Sequence, residues 1–167
     1  GAWCSIRFAN FRSNPLYYAK NLYLNGELVS DVVIPDGVTT IGDYAFYGCT
    51  SLTTVNFNAT NCTTMGSSSY PAFSNCSNLT TVNIGDNVTT IPAYAFRSCT
   101  ALTSVTIPDS VTTIGGSAFE NCTSLTSVTI GDSVTTIGYD AFYYCDSLTD
   151  VYYGADEAKW NEIANGS

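Results

Sequence analysis

A chain of 167 residues, 45% of them hydrophobic, is long enough to bury one substantial core and too apolar to be disordered. Its net charge of −9, with only Arg7, Arg12, Lys20, Arg97 and Lys159 basic, opposes binding to nucleic-acid phosphates or to an anionic membrane. No apolar run approaches the roughly 20 residues of a membrane span, and the abundance of Thr, Val, Ser, Asn and Gly points to strands and turns rather than long helices.

Residues 1–28, GAWCSIRFANFRSNPLYYAKNLYLNGEL, show no period and read as an irregular N-terminal segment or cap. From residue 29 the chain repeats itself. VSDVVIPDGVTTIGDYAFYGCTS fills 29–51. LTTVNFNATNCTTMGSSSYPAFSNCSN fills 52–78 with four extra residues, one between Phe57 and Cys62 and three between Met65 and Phe73. Three units of 23 residues follow: LTTVNIGDNVTTIPAYAFRSCTA at 79–101, LTSVTIPDSVTTIGGSAFENCTS at 102–124 and LTSVTIGDSVTTIGYDAFYYCDS at 125–147. The last stretch, 148–167, starts a partial sixth unit with Leu148, Val151 and Tyr153 and then turns to ADEAKWNEIA, a short amphipathic helix.

Each unit is one coil of a solenoid. In LxxVxI the fourth and sixth residues alternate with polar ones, the pattern of a strand buried on one face. Pro or Gly, then Asp, marks a turn. A second short extended piece points Val88 and Ile91 inward in the 79–101 unit. Ala95, Phe96 and Cys99 are then spaced as one turn of helix. One unit cannot bury these residues alone, whereas stacked units lay Leu on Leu, Phe on Phe and Cys on Cys. The expected architecture is therefore β-rich, with parallel strands stacked one per 23-residue coil about 4.8 Å apart.

The unit LxxVxIPDSVTTIGxxAFxxCxx resembles the BspA-like leucine-rich repeat, and five tandem matches cover 29–147. That resemblance implies a leucine-rich-repeat solenoid from a bacterial or protist cell-surface protein, extracellular and concerned with adhesion or host-protein binding. The 52–78 unit departs from the pattern, with Cys62 where Val stands elsewhere. Trp3-x-x-Ile6 near the start matches Trp160-x-x-Ile163 near the end. If both belong to one longer module, the chain is a segment of a larger array; the alternative is that the two tryptophans cap the stack. An uncapped stack exposes strand edges and invites end-to-end self-association.

Chemistry finds little purchase. The seven cysteines include no CxxC pair, and the chain has no histidine to complete a zinc site or to activate a thiol. Cys49, Cys76, Cys99, Cys122 and Cys145 follow AF in every unit and read as a structural ladder of free thiols, although neighbouring rungs fall within bridging distance. Asp36, Asp86, Asp109 and Asp132 share one turn position. Stacked, they form either a calcium row or a set of carboxylates satisfying local backbone donors; the GGxGxD signature of calcium-binding solenoids is missing. There is no phosphate-binding glycine loop and no GxSxG elbow, so no enzyme and no cofactor is expected.

The expected contact surface is the outward face of the strands. It comprises Asp31 and Val33, Thr54 and Asn56, Thr81 and Asn83, Ser104 and Thr106, Ser127 and Thr129, and Asp150 and Tyr152. This face is small and polar, while binding hot spots favour Trp, Tyr and Arg. Better anchors lie where units depart from consensus: Tyr70 in the GSSSYP insertion, which should protrude, and Tyr44, Tyr47, Tyr94, Arg97, Tyr139, Tyr143 and Tyr144 at variable positions. A protein-binding segment and a passive spacer both fit this pattern.

Overall fold

The computed structural model describes residues 8–165, so Trp3, Cys4, Ile6 and Arg7 lie outside the described residues. The chain opens with a 3-10 turn at Phe11–Ser13, the one-turn helix α1 (Leu16–Ala19) and an antiparallel hairpin of β1 (Tyr23–Leu24) and β2 (Glu27–Leu28). These pieces cover the first coil. Leu16 and Leu22 enter its core, and the Lys20 carbonyl accepts the Thr50 amide at 2.8 Å. Buried Asn14 acts as a pin, donating from Nδ2 to the Tyr44 carbonyl at 2.7 Å while its Oδ1 takes the Leu16 amide at 2.9 Å.

Two columns of parallel strands follow. The first contains β3 (Asp31–Ile34), β5 (Thr54–Phe57), β8 (Thr81–Ile84), β10 (Ser104–Ile107), β12 (Ser127–Ile130) and β14 (Asp150–Tyr153). The second contains β4 (Thr40–Ile41), β6 (Thr64–Ser67), β9 (Thr90–Ile91), β11 (Thr113–Ile114) and β13 (Thr136–Ile137). The register repeats unit for unit: Asp31 pairs with Thr54, Thr54 with Thr81, and Ser104 with Ser127 and onward to Asp150. The second column also has Thr40 against Thr64 and Thr90 against Thr113, so Cys62 replaces Val38 as expected. The three-residue insertion forms a hairpin, in which β6 pairs antiparallel with β7 (Tyr70–Pro71). Helix α2 (Glu157–Asn165) closes one corner of the far end, with the Trp160 ring 5.3 Å from that of Tyr153.

The segment read as one turn of helix is not a helix. It is a run of hydrogen-bonded turns in which the amides alternate between two kinds of partner. Ala95, Arg97 and Cys99 donate three residues back, to Pro92, Tyr94 and Phe96. The amides between them donate across to the next coil: Tyr94 to Gly116 at 3.0 Å, Phe96 to Ala118 at 2.8 Å and Ser98 to Glu120 at 2.8 Å. A helical turn would keep every donor within its own coil. Diverting alternate amides requires left-handed residues, found at Tyr94 (φ 62°) and Ser98 (φ 61°) and at their equivalents in the other coils, except where Pro71 stands in the place of Tyr94. The AFxxC spacing is the same in both geometries, so periodicity could not separate them.

The stacked side chains form one continuous core. Phe46, Phe73, Phe96, Phe119 and Phe142 stack at ring separations between 4.9 and 5.9 Å. Leu52, Leu79, Leu102 and Leu125 form a parallel row, all fully buried. Each such side chain contributes about 1.5–3 kcal/mol. The threonines just before the strands add a bond that periodicity did not show. Thr80, Thr126 and Thr149 donate their hydroxyls to the carbonyls of Thr53, Thr103 and Thr126 one coil earlier, and Thr112 and Thr135 do the same in the second column.

The glycine of VTTIG reflects how closely the coils approach. A Cβ on Gly115 would sit 2.4 Å from the Ala93 nitrogen and one on Gly138 would sit 2.5 Å from the Gly116 nitrogen, both immovable backbone. Gly115→Ala should therefore destabilise the fold by about 1–3 kcal/mol, as overpacked sites do. An unchanged urea midpoint would contradict this close approach.

Candidate functional site

The outward strand residues lie where alternation put them. Thr81, Asn83, Ser104, Thr106, Thr129, Asp150 and Tyr152 are exposed, and Thr54, Asn56 and Ser127 are half-buried. The face is flat and rich in hydroxyls and amides. Asn83 Nδ2 donates to Asn56 Oδ1 at 2.9 Å, so these two side chains are partly committed to each other.

The tyrosines form two patches. At the N-terminal end Tyr18, Tyr17, Tyr47, Tyr44 and Tyr70 follow one another with ring centroids 4.6–5.9 Å apart. Tyr44 is only 4% exposed and serves as the floor on which Tyr70 lies, so it offers no contact surface of its own. The Lys20 ammonium sits 5.2 Å over the Tyr17 ring, and Asn75 Nδ2 donates to the Tyr47 hydroxyl at 2.6 Å. Tyr94 is half-buried between the patches. At the C-terminal end Tyr139 is 86% exposed, and Tyr143 and Tyr144 lie with centroids 4.0 Å apart. The hydrogen bond with Tyr144 holds the Tyr143 phenol above its usual pKa. The link between Tyr17, in the cap, and Tyr47, in the first coil, was not foreseen, because no repeat period relates these positions.

The turn aspartates Asp36, Asp109 and Asp132 accept backbone or hydroxyl donors. Asp36 Oδ1 accepts the Thr60 hydroxyl at 2.6 Å and the Gly37 amide at 3.0 Å, and these bonds, the hydroxyl first, hold its carboxyl below the ordinary value. Asp109 Oδ1 accepts the Asp132 amide at 3.1 Å. Among the described residues no three His, Cys, Asp or Glu side chains are grouped to hold a metal ion.

The cysteine row lies inside. Cys49, Cys76, Cys99, Cys122 and Cys145 are buried free thiols, as is Cys62. Each rung after the first donates its S–H to the carbonyl of the preceding coil's core phenylalanine: Cys76 to Phe46 at 3.0 Å, Cys122 to Phe96 at 3.3 Å and Cys145 to Phe119 at 3.2 Å. Burial pushes the Cys99 thiol from its ordinary 9.0 up to about 12 and Cys76 well up; the neighbouring Cys145 thiol and then burial raise Cys122. The enclosed, raised thiols of Cys76, Cys99 and Cys122 are poor nucleophiles, while the hydrogen bond with Cys122 lowers the Cys145 thiol.

A family model for the BspA-type leucine-rich repeat region matches residues 18–151 in six copies. The chain belongs to the BspA-type leucine-rich repeat family. Solved leucine-rich proteins superpose on it. It resembles a leucine-rich cell-surface protein from Faecalibacterium prausnitzii A2-165, with 30% identity and a TM-score of 0.67 over 81% of this chain and 35% of that one. It also resembles a leucine-rich repeat protein of T. pallidum, with 34% identity and a TM-score of 0.60 over 73% of this chain and 57% of that one. The likeness to the pneumococcal vaccine antigen PcpA, 20% identical with a TM-score of 0.60 over 82% of this chain and 33% of that one, is one of fold alone. The BspA-type segment thus spans about a third to just over half of these proteins. No curated protein matches it. Among the described residues no helix is long and apolar enough to cross a membrane.

Proposed function

We propose that this BspA-type segment is a non-catalytic part of a cell-surface protein and binds an extracellular or host protein. The observation that carries this reading is the concentration of exposed tyrosine at both ends of an otherwise small and polar surface. Tyrosine supplies contact area at little entropic cost. The patch of Tyr139, Tyr143 and Tyr144 is the first contact site, Tyr70 and Tyr18 with their neighbours the second, and the strand face supplies polar rim contacts. Small side chains along that face also fit a second reading, a passive spacer within a longer surface protein. Capture by the immobilised segment from a panel of purified extracellular-matrix and host glycoproteins separates the two. The expected result is specific capture of at least one panel member, reduced about tenfold or more when Tyr139, Tyr143 and Tyr144 are replaced by Ser, the loss typical of hot-spot residues. Absence of capture across the panel favours the spacer.

A further inference from the structure

The coil at 79–101 is attached to its two neighbours by opposite edges. Toward the preceding coil the strands are joined: β5 pairs with β8, and the Gly85 amide donates to the Phe57 carbonyl at 2.9 Å. The turns on that side are not joined. Among the described residues the amides of Phe73 and Asn75 donate to no carbonyl, whereas their counterparts Phe96 and Ser98 both donate onward at 2.8 Å. Toward the following coil the arrangement reverses. There the turns are laced and Gly115 donates to the Ile91 carbonyl at 2.8 Å, but β8 and β10 share no ladder. A groove of about 430 Å³ opens between them, lined by Thr81, Asn83, Ser104, Thr106 and Pro108 among others.

Three prolines account for both openings. Asn58, Gly85, Gly131 and Gly154 each donate an amide to the strand of the preceding coil at 2.8–2.9 Å; at this position the 102–124 unit has Pro108, which has no N–H. Pro92 takes the place of Gly115 and Gly138, and Pro71 takes the place of Tyr94, again without a donor. The packing records the same two gaps. Phe73 and Phe96 are the widest step of the phenylalanine stack at 5.9 Å, and Cys99 Sγ is 3.9 Å from the Phe73 carbonyl against 3.0–3.3 Å elsewhere. Ile84 is half-buried where Ile34, Phe57, Ile107 and Ile130 are fully enclosed. Arg97 bridges the open turn side. Its guanidinium donates to the Ser68 carbonyl in the inserted hairpin and pairs with Glu120 of the following coil at 2.7 Å.

We propose that the 79–101 coil is a hinge between two rigid stacks, residues 8–78 and 102–165, and that Arg97 is its latch. The coil tilts about each intact edge, so the segment bends or lengthens without breaking a ladder hydrogen bond. Residue-resolved amide exchange on the whole chain tests this. The amides of Phe73 and Asn75 should exchange about tenfold or more faster than those of Phe96 and Ser98, and Ser104 and Thr106 faster than Ser127 and Thr129 by a similar factor. Pro108→Gly supplies the missing donor and should slow Ser104 and Thr106 to the rates of their counterparts. Arg97→Ala should speed exchange at Ala95 and Cys99 while leaving Cys145 and Leu148 unchanged. Equal protection within these pairs in the wild-type chain, or no response at Ala95 and Cys99 to Arg97→Ala, overturns the proposal.

Discussion

Phe96→Ala should lower the stability of the segment by about 3–5 kcal/mol, the cost of removing a fully enclosed phenylalanine and leaving a cavity. Phe96 stacks between Phe73 at 5.9 Å and Phe119 at 5.6 Å and meets Phe57 edge-on at 6.4 Å, so its loss removes ring contacts on three sides. In a stacked array each coil is stabilised mainly by its neighbours, so the variant should also lose cooperativity and unfold in two steps. Urea denaturation followed by circular dichroism reads both effects. Phe142→Ala is the internal control: that ring is only partly buried at the far end, and its loss should cost less. A loss below about 1 kcal/mol for Phe96→Ala would show that the coils collapse into the vacated space.

The thiol ladder makes the fold sensitive to alkali. Cys99 holds its proton up to about 12 in the folded chain against an ordinary 9.0. Below pH 9 the thiol is protonated in both the folded and unfolded chain, and its full contribution is present. Between 9 and 12 the unfolded chain releases the proton and the folded chain keeps it. The unfolded state therefore binds fewer protons, and stability falls by about 1.4 kcal/mol per pH unit for each such thiol until the folded pKa is passed. Cys76 is raised by burial in the same sense. Urea midpoints measured from pH 7 upward should be level and then decline above 9. Cys99→Ala should flatten that decline while lowering stability at neutral pH, where the cavity it leaves dominates. A flat profile in the wild-type chain would contradict the enclosed ladder.

Much of this was legible in the residues. The alternation in LxxVxI set the buried and exposed faces of the strands from β3 to β12, while in β14, at the end of the stack, Val151 is exposed; the 23-residue period set the register, because stacking pairs each position with itself. Two features were not legible. AFxxC has the spacing of a helical turn, and only the destination of the Tyr94, Phe96 and Ser98 amides reveals that it is a laced turn. The tyrosine positions were visible but their roles were not: Tyr44 and Tyr70 both read as contact anchors, yet the first is the floor beneath the second. Pro71 and Pro92 could be seen as exceptions within their columns, whereas Pro108 shares its position with Pro35. Their meaning depends on which amide in each column points to the neighbouring coil.

The threonine hydroxyls and cysteine thiols that tie each coil to the one before are uncharged. Coulombic screening by salt leaves such bonds untouched, whereas it acts directly on a partly exposed ion pair. Among the described residues the Arg97–Glu120 pair joins successive coils by charge. Ionic strength therefore acts on the segment's pliancy and hardly at all on its cohesion. Brine loosens the joint at the 79–101 coil and leaves the two stacks on either side of it intact.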